Sequence, residues 1–147
     1  MELKFQVHGR IAKPVDEVFD AVYNPTKLSG YFTTGGASSP LDEGTTVKWD
    51  FADFPGAFPV YVQKVELERL IVLEWDGADD GSSTEVRIEF EPLDANSTMV
   101  RISEGAWRET QEGLDQSYGN CMGWTQMIAF MKVYLEHGIN LRDGFFK

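Results

Sequence analysis

Residues 114–137, LDQSYGNCMGWTQMIAFMKVYLEH, decide the fold. Trp124, Ile128, Met131 and Leu135 recur at helical spacing, and Gly138 follows as a C-terminal cap, so the stretch predicts one long amphipathic helix. At 1.5 Å per residue it runs roughly 34 Å, long enough to cross a whole sheet. The preceding residues supply that sheet. From residue 45 the pattern is one of short alternating runs: Val47, Trp49 and Phe51 share one parity, and runs at 58–67, 70–75, 84–90 and 98–107 follow. Turn-forming residues separate them: Asp53-Phe54-Pro55-Gly56, Glu68-Arg69, 76–83 and 94–97. Sequential strands with short links imply an antiparallel meander.

Toward the amino terminus, Phe5, Val7 and Ile11 alternate with Lys4, Gln6, His8 and Arg10, as in a half-buried strand, with Gly9 on the apolar parity. Pro14 suits a first helical turn, Asp16 and Glu17 suit its positive end, and Val15, Val18, Phe19 and Val22 form an apolar stripe that Asn24-Pro25 stops. A second short helix is expected near 26–30. It leads to Tyr31-Phe32 and to a Gly-, Ser- and Thr-rich segment, 33–43, that reads as a mobile lip. The order is strand, two short helices, five strands and one long helix: an α+β chain in which a curved antiparallel sheet of about six strands wraps around a long C-terminal helix. Such an arrangement encloses a space between sheet and helix.

At 147 residues the chain is expected to form a single domain, 1–147. Twenty-four Asp and Glu against thirteen Lys and Arg give a net charge of −11, which repels phosphate backbones, so no nucleic-acid partner is expected. The alternating first residues lack the apolar core of a secretion signal, and no run approaches the roughly 18 apolar residues of a membrane span. With the single Cys121, this predicts a cytoplasmic protein without a disulfide. Asn96-Ser97-Thr98 then reads as a hairpin turn rather than a glycosylation site.

The candidate chemistry is sparse. Cys121 and His137 lie sixteen residues apart on one helix, too far for a dyad, and Cys121 reads as a buried, inert thiol. His8 has the solvent parity. No histidine or cysteine spacing matches a metal motif, so no metal is expected. Asp76, Asp79 and Asp80 lack the ordered ligands of a calcium loop, and Gly35-Gly36 lacks the lysine of a phosphate loop, so no cofactor is implied. Glu104 shares the apolar parity of Val100 and Ile102, which aims it under the long helix as a proton donor or polar anchor. Gly105 favours instead a bulge that turns Glu104 to the rim, or a plain salt bridge. Glu74 raises the same question by parity with Leu70 and Val72.

Ile11-Ala12-Lys13-Pro14 followed by Asp16-Glu17-Val18-Phe19, the Trp49-Asp50-Phe51 strand, and Gly123-Trp124 running to Tyr134-Leu135-Glu136-His137-Gly138 resemble the START-like (SRPBCC) superfamily. The closest resemblance is to the branch homologous to the C-terminal domain of the activator of the heat-shock protein 90 ATPase. It implies a helix-grip fold around a hydrophobic cavity. Two departures stand out: the co-chaperone's separate N-terminal domain has no counterpart here, which argues against ATPase stimulation, and Tyr31 and Phe32 replace paired tryptophans. The resemblance implies a cytoplasmic binding protein for a small hydrophobic or amphipathic ligand. Trp49, Phe51 and Trp75 would face Trp124, Ile128 and Met131 across the space, with Glu104 and Tyr118 as polar groups. Bulky aromatics on both sides would fill much of it. The alternatives are a chaperone-related interaction module and an enzyme in which Glu104, with Tyr118, acts on a bound cyclic substrate. The tail at 139–146, with Phe145-Phe146, would cap the pocket or meet a second subunit in a homodimer.

Overall fold

The computed structural model describes residues 1–77 and 81–147. The elements run β1 (Leu3–Ile11), α1 (Val15–Tyr23), α2 (Pro25–Leu28), β2 (Gly36–Ala37), β3 (Thr46–Phe51), β4 (Phe54–Glu66), β5 (Leu70–Asp76), β6 (Ser83–Asp94), β7 (Ser97–Trp107) and α3 (Gln111–His137). Among the described residues they form one sheet of seven strands, ordered β1-β7-β6-β5-β4-β3-β2, with every neighbouring pair antiparallel. Strands β3 to β7 are the expected meander, β2 adds a short strand at its far edge, and β1 closes the order beside β7. The long helix lies across the inner face as a helix grip.

Several boundaries differ from the sequence expectation, each for a local reason. The seventh strand is β2, two residues inside the supposed lip. That lip is pinned, because the Gly35 and Ser38 amides donate to Asp50 and Lys48 carbonyls and Leu41 is buried. Asp53-Phe54-Pro55-Gly56 is not all turn: Phe54 already pairs with Phe51, so β4 starts there. The hairpin at Asn96-Ser97-Thr98 is tighter than expected, with Ser97 and Thr98 already buried in β7. Helix α3 begins three residues earlier than its apolar stripe, capped by Thr110, whose Oγ1 accepts from the Gly113 amide. Cys121 is half-buried rather than buried, since it sits at the flank of the stripe that Ser117, Trp124, Ile128 and Met131 turn to the sheet. Asp76 is exposed; Asp79 and Asp80 lie outside the described residues.

Helix and sheet approach closely. A Cβ on Gly9 would lie 2.5 Å from Ile128 Cγ2, so a side chain at the centre of β1 would push α3 away. The far end of α3 is held by Glu136, whose carboxylate accepts from the Ala12 amide at 3.0 Å and the Lys132 ammonium at 2.7 Å. Burial works against the charge on Glu136, but these two donors outweigh it and hold the carboxyl below its ordinary value of 4.5. A carboxyl lowered by folding contributes stability that is present above the ordinary value and is lost as pH falls through the folded one. Glu136→Gln is therefore expected to cost about 1 kcal/mol at neutral pH, the half-exposed Lys132 being partly screened. Melting curves of variant and parent should converge as the pH drops below the ordinary carboxyl value of 4.5 and through the lowered one; parallel curves would show that the charge of Glu136 is irrelevant.

Candidate functional site

The space between sheet and helix is filled by rings. Phe32 packs on Trp49, Phe51 and Trp124 with centroids 5.0–5.6 Å apart, Trp75 packs on Trp124, Phe58 and Trp49 at 5.4–6.0 Å, and Phe51 meets Phe58 at 5.9 Å. These contacts are edge-on, tilted or offset, as aromatic quadrupoles prefer. Trp49 is wholly buried, and Trp124, Ile128 and Met131 lie in the same core.

Against this apolar wall stands one carboxylate. Glu104 is 2% exposed, and the pairing of β7 with β6 runs unbroken from Glu85↔Gly105 to Pro92↔Thr98, so it keeps the inward parity of Val100 and Ile102. The irregularity that Gly105 was expected to introduce does occur, on the other side, where Leu3 pairs with Trp107 and Phe5 with Glu104. It begins beyond Glu104 and leaves that side chain facing in. Among the described residues no salt bridge reaches it either. Instead Glu104 accepts four neutral donors: Trp75 Nε1 at 2.8 Å and Thr84 Oγ1 at 2.6 Å on Oε2, Trp124 Nε1 at 2.8 Å on Oε1, and Asn120 Nδ2 at 3.1 Å from both oxygens. Trp75 Nε1 also reaches Thr84 Oγ1 at 3.0 Å. Glu74 is different: Ile71 and Leu73 take the core face of β5, so Glu74 lies on the outer face, half-buried.

The network opens onto a cleft of about 300 Å³ between the start of α3 and strands β4 to β7. Phe58, Trp75 and Trp107 are its aromatic walls; Thr84, Gln116, Asn120 and Asp76 are its polar lining. Three of the four donors to Glu104 thus face both the carboxylate and the cleft. Asn120 commits Nδ2 to Glu104, and among the described residues its Oδ1 accepts from no protein donor.

Of the residues singled out from sequence, the structure brings Trp75, Glu104 and Trp124 together, with Trp49 and Phe51 in the ring cluster behind Trp75. Ile128 and Met131 lie farther along α3, and Ile128 faces Gly9. Tyr118 is 65% exposed and does not line the cleft. Thr84, Gln116 and Asn120 were missed; the one available signal was that Gln116 and Asn120 lie one helical turn apart, on the side of Trp124. Among the described residues no group of three His, Cys, Asp or Glu gathers as a metal site, and no helix is long and apolar enough to cross a membrane. The tail docks elsewhere, Phe145 on Phe130 and Phe146 on Phe54.

Comparison with known proteins bears on fold and family. Protein SSP2350 from Staphylococcus saprophyticus is 27% identical, with a TM-score of 0.80 over 95% of this chain and 96% of that one. DynU16, from the dynemicin biosynthetic locus, gives 23% identity and a TM-score of 0.80 over 94% of this chain and 49% of its own. The Aha1 dimer from Colwellia psychrerythraea gives 22% and 0.79 over 92% and 97%. No curated protein matches the sequence. The family model described as activator of Hsp90 ATPase homolog 1-like protein matches residues 12–136. That match spans the first helix, the whole meander and nearly all of α3, and by it the chain belongs to the activator of Hsp90 ATPase homolog 1-like family, within the START-like superfamily its sequence resembles.

Proposed function

We propose that this protein is a cytoplasmic binding protein for a small amphipathic molecule, seated in the cleft at the start of α3. One observation carries the reading: Trp75, Thr84 and Asn120 line the cleft while their donors are held by a buried carboxylate. Such a network spends buried polar groups on fixing the orientation of a surface, which is what a ligand site requires and a plain core does not. The cleft sits at the small end of ligand pockets, which run about 300–1,000 Å³. The filled interior makes it the place where an apolar body meets fixed polar atoms. Within the family's fold, DynU16 belongs to a biosynthetic locus, and cyclic or aromatic small molecules are the ligand class that planar walls such as Trp75 and Trp107 would suit.

Native mass spectrometry of protein purified from its own cells is expected to show an excess mass that disappears on denaturation. The same compound added back at about a hundred times its Kd should stabilise the fold by about 2.7 kcal/mol. Asn120→Ala should weaken it about tenfold, whereas Tyr118→Ala, off the cleft, should leave it unchanged. A clean apo mass, together with no stabilisation by aromatic small molecules, would sink the reading and favour a chaperone-related interaction module.

A further inference from the structure

The polar character of the cleft is one-sided, and this narrows what it can hold. Among the described lining residues there is no Lys, Arg or His. Asp76, the exposed last residue of β5, borders the mouth, and Glu104 lies behind Trp75, Thr84 and Asn120. The hydrogens of Trp75 Nε1 and Thr84 Oγ1 are already spent on that carboxylate, and Asn120 Nδ2 turns one of its two hydrogens to it. Asn120 Oδ1 remains as an acceptor, and Gln116 supplies an amide of either sense. The apolar walls are the π-systems of Phe58, Trp75 and Trp107, whose faces carry partial negative charge. Phe58 and Trp75 meet at 61° with centroids 5.8 Å apart, which forms a corner rather than a flat stack. The whole chain adds a net charge of −11.

The charged groups of this lining favour positive charge. An aromatic corner closed by a carboxylate attracts a cation through the ring quadrupoles and through direct charge, and is most effective for weakly hydrated ammonium groups. An anion would face two carboxylates and, among the described lining residues, no basic side chain. We propose that the cleft takes an organic cation, a quaternary or protonated amine carried on a small apolar body, its charge between Asp76 and the walls of Trp75 and Trp107. The proposal rests on the cleft being the ligand site, and it names the class of ligand.

The test uses three small molecules of nearly one shape: choline, its neutral carbon isostere tert-butylethanol, and the anion tert-butylacetate. Binding is read on the full chain from the indole Nε1–H resonances, assigned with Trp75→Phe and Trp107→Phe. Choline is expected to shift the Trp75 and Trp107 signals with a Kd about tenfold below that of the neutral isostere. Asp76→Asn should remove most of that advantage while leaving the affinity of the neutral compound as it was, and added salt should weaken choline alone. Equal binding of choline and tert-butylethanol would overturn the cation inference and leave the ligand site standing. Tightest binding of tert-butylacetate would overturn it too, and would point to Arg108 in the adjoining groove that shares Thr84, Trp107 and Gln116. If none of the three moved either indole signal, the inference would fall together with the cleft itself.

Discussion

Glu104→Ala is expected to cost about 4 kcal/mol of folding stability, a quarter or more of the roughly 5–15 kcal/mol that holds a domain together. The substitution removes the acceptor of four donors at once. Trp124 Nε1 and Thr84 Oγ1 are buried, so neither recovers a water when the carboxylate goes, and each unmet donor costs about 1–3 kcal/mol. A cavity the size of the lost side chain adds to this. The midpoint of thermal unfolding should fall by on the order of 10 °C. Glu104→Gln is the sharper test because it keeps shape and volume. Its carbonyl oxygen serves one side of the network, while its amide turns N–H toward either Trp124 Nε1 or the pair of Trp75 and Thr84. A loss of about 2 kcal/mol is expected, measured by urea unfolding with tryptophan fluorescence against far-UV dichroism. A Gln variant as stable as the parent would show that the donors do not require a carboxylate. Stability retained with turnover of a cyclic substrate lost would restore the acid role that parity alone suggested.

The reason Glu104 was only half legible in the sequence is physical. Parity placed it inward correctly, because Val100, Ile102 and Glu104 lie on one strand and obey one period. Its partners come from three other elements. Trp75 and Thr84 meet it because they are paired residues of β5 and β6, and Asn120 and Trp124 because they lie four apart on α3. No local pattern marks Thr84, Asn120 is marked only by its helical spacing from Gln116 and Trp124, and Trp124 itself reads as plain core from its helical spacing. The long helix and the meander were legible since each is a repeated signal over many residues. Strand β2, two residues long, is too short to alternate, and its Gly-rich setting looks like a loop. The ring cluster shows the same division: aromatic bulk on both faces was visible, but the contacts that fill the interior depend on cross-strand geometry.

The tail poses the second large effect. Arg142→Ala is expected to destabilise the protein by about 3–5 kcal/mol, since it strands a buried charge. The Arg142 guanidinium donates through Nε and an Nη to both oxygens of Asp53, at 3.1 Å each, and both side chains are only 9% exposed. The same guanidinium lies 4.8 Å from the centre of the Phe51 ring and 5.0 Å from that of Phe146, so the pair is covered on its faces as well. Its two members are 89 residues apart, which explains why no sequence pattern announced them. A buried pair of this kind is costly to break and worth little net, because attraction inside must first offset the loss of hydration of two ions. The double replacement Asp53→Leu with Arg142→Met should therefore recover most of what the single variant loses, to within about 1 kcal/mol of the parent. Urea unfolding of all four proteins in the cycle reads this directly. A double variant as unstable as Arg142→Ala would mean that the rings of Phe51 and Phe146 need the cation itself, and that its stacking on them, rather than the ion pair, holds the tail to the β3–β4 hairpin.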